Sequence, residues 1–154
     1  FAMETRGGFY ISRIKQLQDR IFEKLLHEKG IEIGGGQGRI LFVLWKKDNL
    51  LMSEISKETS LAKNTVSIII DAMVEKGIVV KTVNPNNRRQ TIISLTDYAK
   101  SLQEEFTMVS DRMGEIFYQG FTEKEQKEFE AYLFRILDTL TAFEERYDDK
   151  KSHF

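Results

Sequence analysis

Hydrophobic positions recur at three- and four-residue spacing along most of this chain, with short strand-like runs near its middle. Ile14, Leu17, Ile21, Leu25 and Leu26 line one face of a helix predicted from about Gly8 to Lys29. Late in the chain, Thr122 and Glu125 form a capping-box pattern. Phe129, Leu133, Ile136, Leu137, Leu140 and Phe143 then recur on one face. Between them, a long helix over Asp97–Tyr118 begins at the cap Thr96 and carries Leu102, Phe106, Val109, Met113 and Phe117. The tail Asp148–Phe154 is expected to fray.

The middle of the chain, from Leu50 to Leu95, has a different order of elements. A short apolar lead-in, Leu50-Leu51-Met52, precedes a capped helix starting at Ser53 with Glu54, Ile55 and Ser56. A turn around Thr59–Ala62 leads to a second helix over Asn64–Lys76, which stops at Gly77. Two strands, Ile78–Val83 and Thr91–Leu95, flank the loop Asn84-Pro85-Asn86-Asn87-Arg88-Arg89-Gln90. The expected fold is mainly α with a small β-hairpin, a winged helix-turn-helix with long helices on either side. A helix of this size beside a basic hairpin fits the major groove of double-stranded DNA.

The second helix divides into two faces. Val66, Ile69, Ile70, Met73 and Val74 form a stripe predicted to be buried. Asn64, Thr65, Ser67, Ile68, Asp71, Ala72 and Glu75 turn away from it. The short polar side chains near its start suit base edges or phosphates. Pro85 presets the hairpin turn, and Arg88 and Arg89 follow at its exposed tip, where guanidinium groups suit phosphates or a narrow minor groove. The DNA-contact set is therefore Ser53, Lys63, Asn64, Thr65, Ser67, Ile68, Arg88 and Arg89. Each feature has a plainer reading: a polar helix face and two loop arginines are often only solvated.

In order and spacing these residues resemble the MarR (multiple antibiotic resistance regulator) family over essentially the whole chain. The resemblance is carried by Leu51-Met52-Ser53-Glu54-Ile55-Ser56, Thr65-Val66-Ser67, and the run from Asp71 to Val79. Asn87-Arg88-Arg89 and Leu95-Thr96 extend it, and Ile33, Gln37, Ile40 and Leu41 match the family's entry to its second helix. It implies one domain over residues 1–154, with a winged helix at about 35–95 and dimerisation helices at about 8–29 and 97–147. It further implies a homodimer on a pseudo-palindromic operator, often adjusted by a small aromatic or phenolic effector held between the dimerisation helices and the reading lobe. No residue is assigned to an effector. The family's wing usually carries Asp-x-Arg, where this chain has Asn87-Arg88-Arg89. Ala62 stands where a Ser or Thr cap is common, and Ile68 and Ala72 stand where relatives often carry Arg or other polar residues. Ile68 suits contact with a thymine methyl.

Composition narrows the function classes. The 154 residues are 41% hydrophobic and 31% charged, ordinary for a globular protein. The longest apolar run, Ile40–Trp45, is far short of the ~18 residues of a membrane span. Phe1-Ala2-Met3 reads as a remnant before a natural start at Met3, and no export segment is expected, so the location is cytoplasmic. The net charge of −1 hides an asymmetry: residues 39–100 carry 10 Lys and Arg against 6 Asp and Glu, and the rest carries 13 against 18. The positive excess falls on the proposed reading lobe.

Catalysis finds little support. The absence of cysteine removes thiol chemistry, cysteine–zinc sites and disulfides. His27 and His153 are far apart in sequence, and pairs such as Glu104-Glu105 point apart on a helix. No metal, cofactor or enzyme activity is expected. Gly34-Gly35-Gly36 with Gly38 lacks the strand and the Gly-Lys-Ser/Thr of a phosphate loop, and reads as a flexible link. The long terminal helices expose enough apolar surface to need a partner, best met by a second chain. A winged-helix protein-interaction module without specific DNA binding is the alternative.

Overall fold

In a computed structural model of the chain, residues 4–34 and 36–152 are described. The expected start at Met3, Gly35 of the glycine run, and His153 lie outside these residues. The chain divides into two compact units, Phe1–Met113 and Gly114–Phe154.

In the first unit, α1 (Gly7–Glu28) is followed by α2 (Gln37–Lys46), β1 (Leu50–Leu51), α3 (Met52–Thr59) and α4 (Lys63–Glu75). Then come β2 (Val79–Asn84), β3 (Asn87–Leu95), α5 (Asp97–Ser101) and α6 (Gln103–Phe117), which crosses the boundary between the units. The strands form an antiparallel sheet in the order β1-β3-β2. Leu50 and Leu51 were expected only as a lead-in, but they pair with Ile93 and Ile92. A neighbouring turn fixes that edge: Asp48 Oδ1 accepts the Leu95 N–H at 2.9 Å, and Asn49 accepts from Ser94 Oγ at 2.5 Å.

The core draws from nearly every element of this unit. Ile40, Leu41 and Leu44 of α2 meet Ile55 of α3, Val66, Ile70 and Met73 of α4, and Ile78, Val79, Ile93 and Leu95 around the sheet. The predicted stripe of α4 is therefore largely correct. Val74 is the exception, lying at its edge and 38% exposed. Phe106 of α6 packs edge-to-face against Phe22 of α1 and Trp45 of α2, with centroids 5.3 and 4.9 Å away. Trp45 Nε1 donates to the Ala99 carbonyl at 3.2 Å, satisfying the indole's single donor.

Gly36 and Gly38 sit in close packing. Gly38 lies inside α2, and a Cβ there would sit 3.1 Å from Phe106 Cζ. At Gly36 a Cβ would meet Ile69 Cδ1 at 2.6 Å, and at Gly34 it would collide with the Glu23 carboxylate. The helix expected over Asp97–Tyr118 is interrupted at Leu102, whose N–H is shared between the carbonyls of Tyr98 and Ala99. Its cap is as expected: Thr96 Oγ1 accepts the Ala99 N–H at 3.2 Å. The outer part of α1 carries no core residue; Ile14, Leu17 and Ile21 are exposed, and only Leu26 of that face is buried.

The second unit holds the end of α6 and the whole of α7 (Glu123–Ser152). The expected capping box forms: the Glu125 N–H donates to Thr122 Oγ1 at 3.1 Å and the Thr122 N–H to Glu125 Oε1 at 2.9 Å. The backbone bond from Thr122, with its hydroxyl partner, holds the Glu125 carboxyl below its ordinary range. Phe117, Tyr118, Phe121 and Phe129 cluster beside it. Burial and the hydrogen bond from Tyr118 Oη to Glu130 raise the tyrosine pKa. α7 stays helical through residues 148–152, where fraying was expected. Phe134, Ile136, Leu137, Leu140 and Phe143 along it are all exposed. Among the described residues, no helix is long and apolar enough to cross a membrane.

Candidate nucleic-acid interface

The turn between α3 and α4 sets the direction of the second helix. Thr59, 4% exposed, donates from its hydroxyl to the Ile55 carbonyl at 2.6 Å, and Ser56 Oγ donates to the Leu61 carbonyl at 2.6 Å. Ser60 closes α3 in the left-handed region, at φ 57°. α3 begins one residue earlier than expected, at Met52. Ser53 stands exposed in its first turn and is not the cap; Glu54 Oε1 accepts the Leu51 N–H at 3.0 Å instead.

α4 starts one residue earlier than expected, at Lys63. Ala62 precedes it, and no side chain caps it. Its first-turn N–H groups are left open beside the exposed residues Lys63, Asn64 and Thr65. Ile68 is 72% exposed on the same side. Ser67, expected to face outward, is half-buried, and so is Ala72.

The wing is tighter than the sequence suggested. Pairing runs from Val79↔Leu95 to Asn84↔Asn87, leaving Pro85 and Asn86 as the turn. Arg88 and Arg89 therefore belong to β3, near the turn, rather than to a loop. The register shifts between Val83 and Asn84, so Arg88, Arg89 and Gln90 bulge from β3 with no paired residue on β2. Farther along the hairpin, Lys81 pairs with Ile93. Lys81 Nζ in turn reaches Asp71 Oδ1 of α4 at 2.7 Å. Both Arg88 and Arg89 are exposed near the tip of the wing.

Asn87 partly replaces the missing wing aspartate, since its Oδ1 accepts the Arg89 N–H at 3.1 Å. Being neutral, it offers no charge to the Arg89 guanidinium. Asn84 Oδ1 accepts the Asn86 N–H at 3.1 Å, and Asn84 Nδ2 donates to Gln90 Oε1 at 2.9 Å. Lys63, Asn64, Thr65 and Ile68 thus share one side of α4, and the exposed Arg88 and Arg89 lie near the tip of the wing. Ser53 lies on the preceding helix, and Ser67 is partly covered.

A groove lies between α1, the α1–α2 connection and α4, lined in part by residues that sequence reasoning did not single out. It has a volume of about 820 Å³, with Arg20, Lys24 and His27 on one wall and Ile68, Ile69 and Ala72 on the other. The buried Gln37 Oε1 at its edge has no hydrogen-bond partner among the described residues. Lys76 Nζ donates to the Glu32 carbonyl at 3.1 Å, linking the end of α4 to the connection. His27 Nδ1 lies 2.9 Å from Glu32 Oε1 on the exposed surface. Among the described residues no three His, Asp or Glu gather to hold a metal ion.

These elements define a winged helix-turn-helix. Residues 36–91 match the model of the MarR family. Among curated relatives, the chain is 24% identical over 143 residues to the HTH-type transcriptional repressor IacR of Pseudomonas putida, covering 91% of this chain and 84% of that one. Among solved structures, a MarR transcriptional regulator from Methanosarcina mazei Go1 is similar with a TM-score of 0.79 and 23% identity. That match covers 88% of this chain and 96% of the other. The S. aureus MepR–DNA complex is similar with a TM-score of 0.80 and 24% identity, over 89% and 99%.

Proposed function

We infer that the chain is a homodimeric, operator-specific DNA-binding regulator that inserts α4 into the major groove and sets its wing against the backbone. The observation carrying this reading is the exposed set Lys63, Asn64, Thr65 and Ile68 at the uncapped start of α4, with the exposed Arg88 and Arg89 near the tip of the wing. Open N–H groups and cations position a helix on phosphates, while side chains at its amino end reach base edges. The similarity to a repressor and to a DNA-bound structure supports the same reading. Such a role requires access to chromosomal DNA and so a cytoplasmic location.

The exposed apolar helix faces support dimerisation. On α1, Ile14, Leu17 and Ile21 are exposed, as are Ile136, Leu137 and Leu140 on α7. A contiguous apolar face of this kind on a helix calls for a partner. A second copy supplies one and also the two-fold symmetry of a palindromic site. The recognition helices would then lie about 34 Å apart. An effector, if aromatic and anionic as the family implies, fits the groove between α1 and α4, where Arg20 and Lys24 stand opposite Ile68 and Ile69. Filling it would press directly on the recognition helix.

The test is selection of duplexes from a library with a randomised core, followed by sedimentation of protein with and without the selected duplex. The reading expects a palindromic consensus and two chains per duplex. Equal binding to selected and random duplexes would favour the interaction-module alternative.

A further inference from the structure

Ile68 is the most exposed large hydrophobic side chain among the described residues. It is held there by a regular helix, since Val66, Ile70 and Met73 bury the opposite side of α4. One turn away along the exposed side stand Asn64, Thr65 and Asp71. Asp71 is occupied by Lys81. The outward face of the helix is therefore polar, with a single branched hydrocarbon at its centre.

This arrangement suits one feature of the major groove. Every base edge there offers hydrogen-bond donors or acceptors, and thymine adds an apolar C5-methyl group. A donor or acceptor set against Ile68 would lose water and gain no partner. A methyl group would lose nothing and bury hydrocarbon on both sides. Isoleucine is also stiff at χ1, so little freedom is lost on contact.

We propose that Ile68 reads the C5-methyl group of a pyrimidine in each operator half-site. The protein would then distinguish 5-methylcytosine from cytosine at that position, and base methylation would tune its binding. This proposal rests on the DNA-binding reading and adds to it the chemical group that is recognised.

The experiment uses the full chain and the duplexes it selects from the randomised library. Each thymine is replaced in turn by deoxyuridine, which removes only the methyl group, and affinities are measured for the wild type and Ile68→Ala at one salt concentration. The expected result is one thymine per half-site whose demethylation weakens wild-type binding about fourfold, the size of one buried methyl group. Ile68→Ala should be indifferent to that replacement, and both proteins should bind random duplex alike. With cytosine at the same position, 5-methylation should tighten wild-type binding by a similar factor and leave Ile68→Ala unchanged. The proposal is overturned if the operator binds specifically but no deoxyuridine replacement affects the wild type more than Ile68→Ala. If operator and random duplexes bind equally, the DNA-recognition reading itself fails, and this proposal with it.

Discussion

Lys81 of β2 donates to Asp71 of α4 at 2.7 Å, so an ion pair outside the core joins the wing to the recognition helix. Both side chains are largely exposed, at 40% and 61%, so the pair adds little to global stability. Its effect is geometric, because it restricts the angle between two elements that must meet one duplex together. Lys81→Ala should change unfolding free energy by less than about 1 kcal/mol. The same change should speed dissociation from the operator. The exchanged pair Asp71→Lys with Lys81→Asp should recover part of the residence time. Dissociation rates by surface plasmon resonance check this, and recovery absent in the exchanged protein would count against the pairing.

Phe106 should carry more of the stability than any surface contact. Its ring is 2% exposed and packed between Phe22 and Trp45, with Gly38 beneath it. Phe106→Ala should lower the unfolding free energy by about 3–5 kcal/mol. Urea denaturation measures it, and a loss below about 1 kcal/mol would mean that the aromatic cluster is not the hub described.

Much of this architecture was legible in the sequence because long amphipathic helices announce themselves through period. The stripe of α4, the Thr96 cap and the Thr122–Glu125 box were all readable. β1 was not, since two residues carry no alternation and its pairing with Ile92 and Ile93 depends on a turn at Asp48 and Asn49. Arg88 and Arg89 looked like loop because the residues around them signal a turn, yet β3 begins at Asn87 and they fall where its register with β2 shifts. Ser53 looked like a cap because its residue type is a good one, but Glu54 reaches back to Leu51 and starts the helix earlier. The close-packing role of Gly36 and Gly38 rests on Ile69 and Phe106, which are distant in sequence.

Oxidants should leave DNA binding nearly unchanged. The chain contains no cysteine, so neither sulfenic acid nor disulfide can form. Titrations before and after mild peroxide should overlay. A rapid loss reversed by a thiol reductant would contradict this.

The start of α7 should weaken in acid. The Glu125 carboxyl lies below its ordinary range because Thr122 donates to it. A lowered folded-state pKa contributes stability that is present above the unfolded value and lost as pH falls through the folded one. Protection of the first-turn amides of α7 should therefore decline below the ordinary glutamate range. In Glu125→Gln that decline should disappear. Amide exchange followed by NMR distinguishes the two, and identical pH profiles would remove the capping box as the cause.

The most direct measurement is operator and random-duplex affinity against salt concentration, for the wild type, Arg89→Ala and Thr65→Ala. Arg89 stands exposed near the tip of the wing, and Thr65 stands exposed at the start of α4. Loss of a phosphate contact reduces the salt slope by roughly one counterion per half-site. Arg89→Ala should show that reduction and weaken binding to both duplexes. Thr65→Ala should keep the slope, lose about 1–3 kcal/mol on the operator and leave random binding alone. Unchanged slope and affinity in Arg89→Ala, with flat salt dependence in the wild type, would contradict DNA recognition by this winged helix.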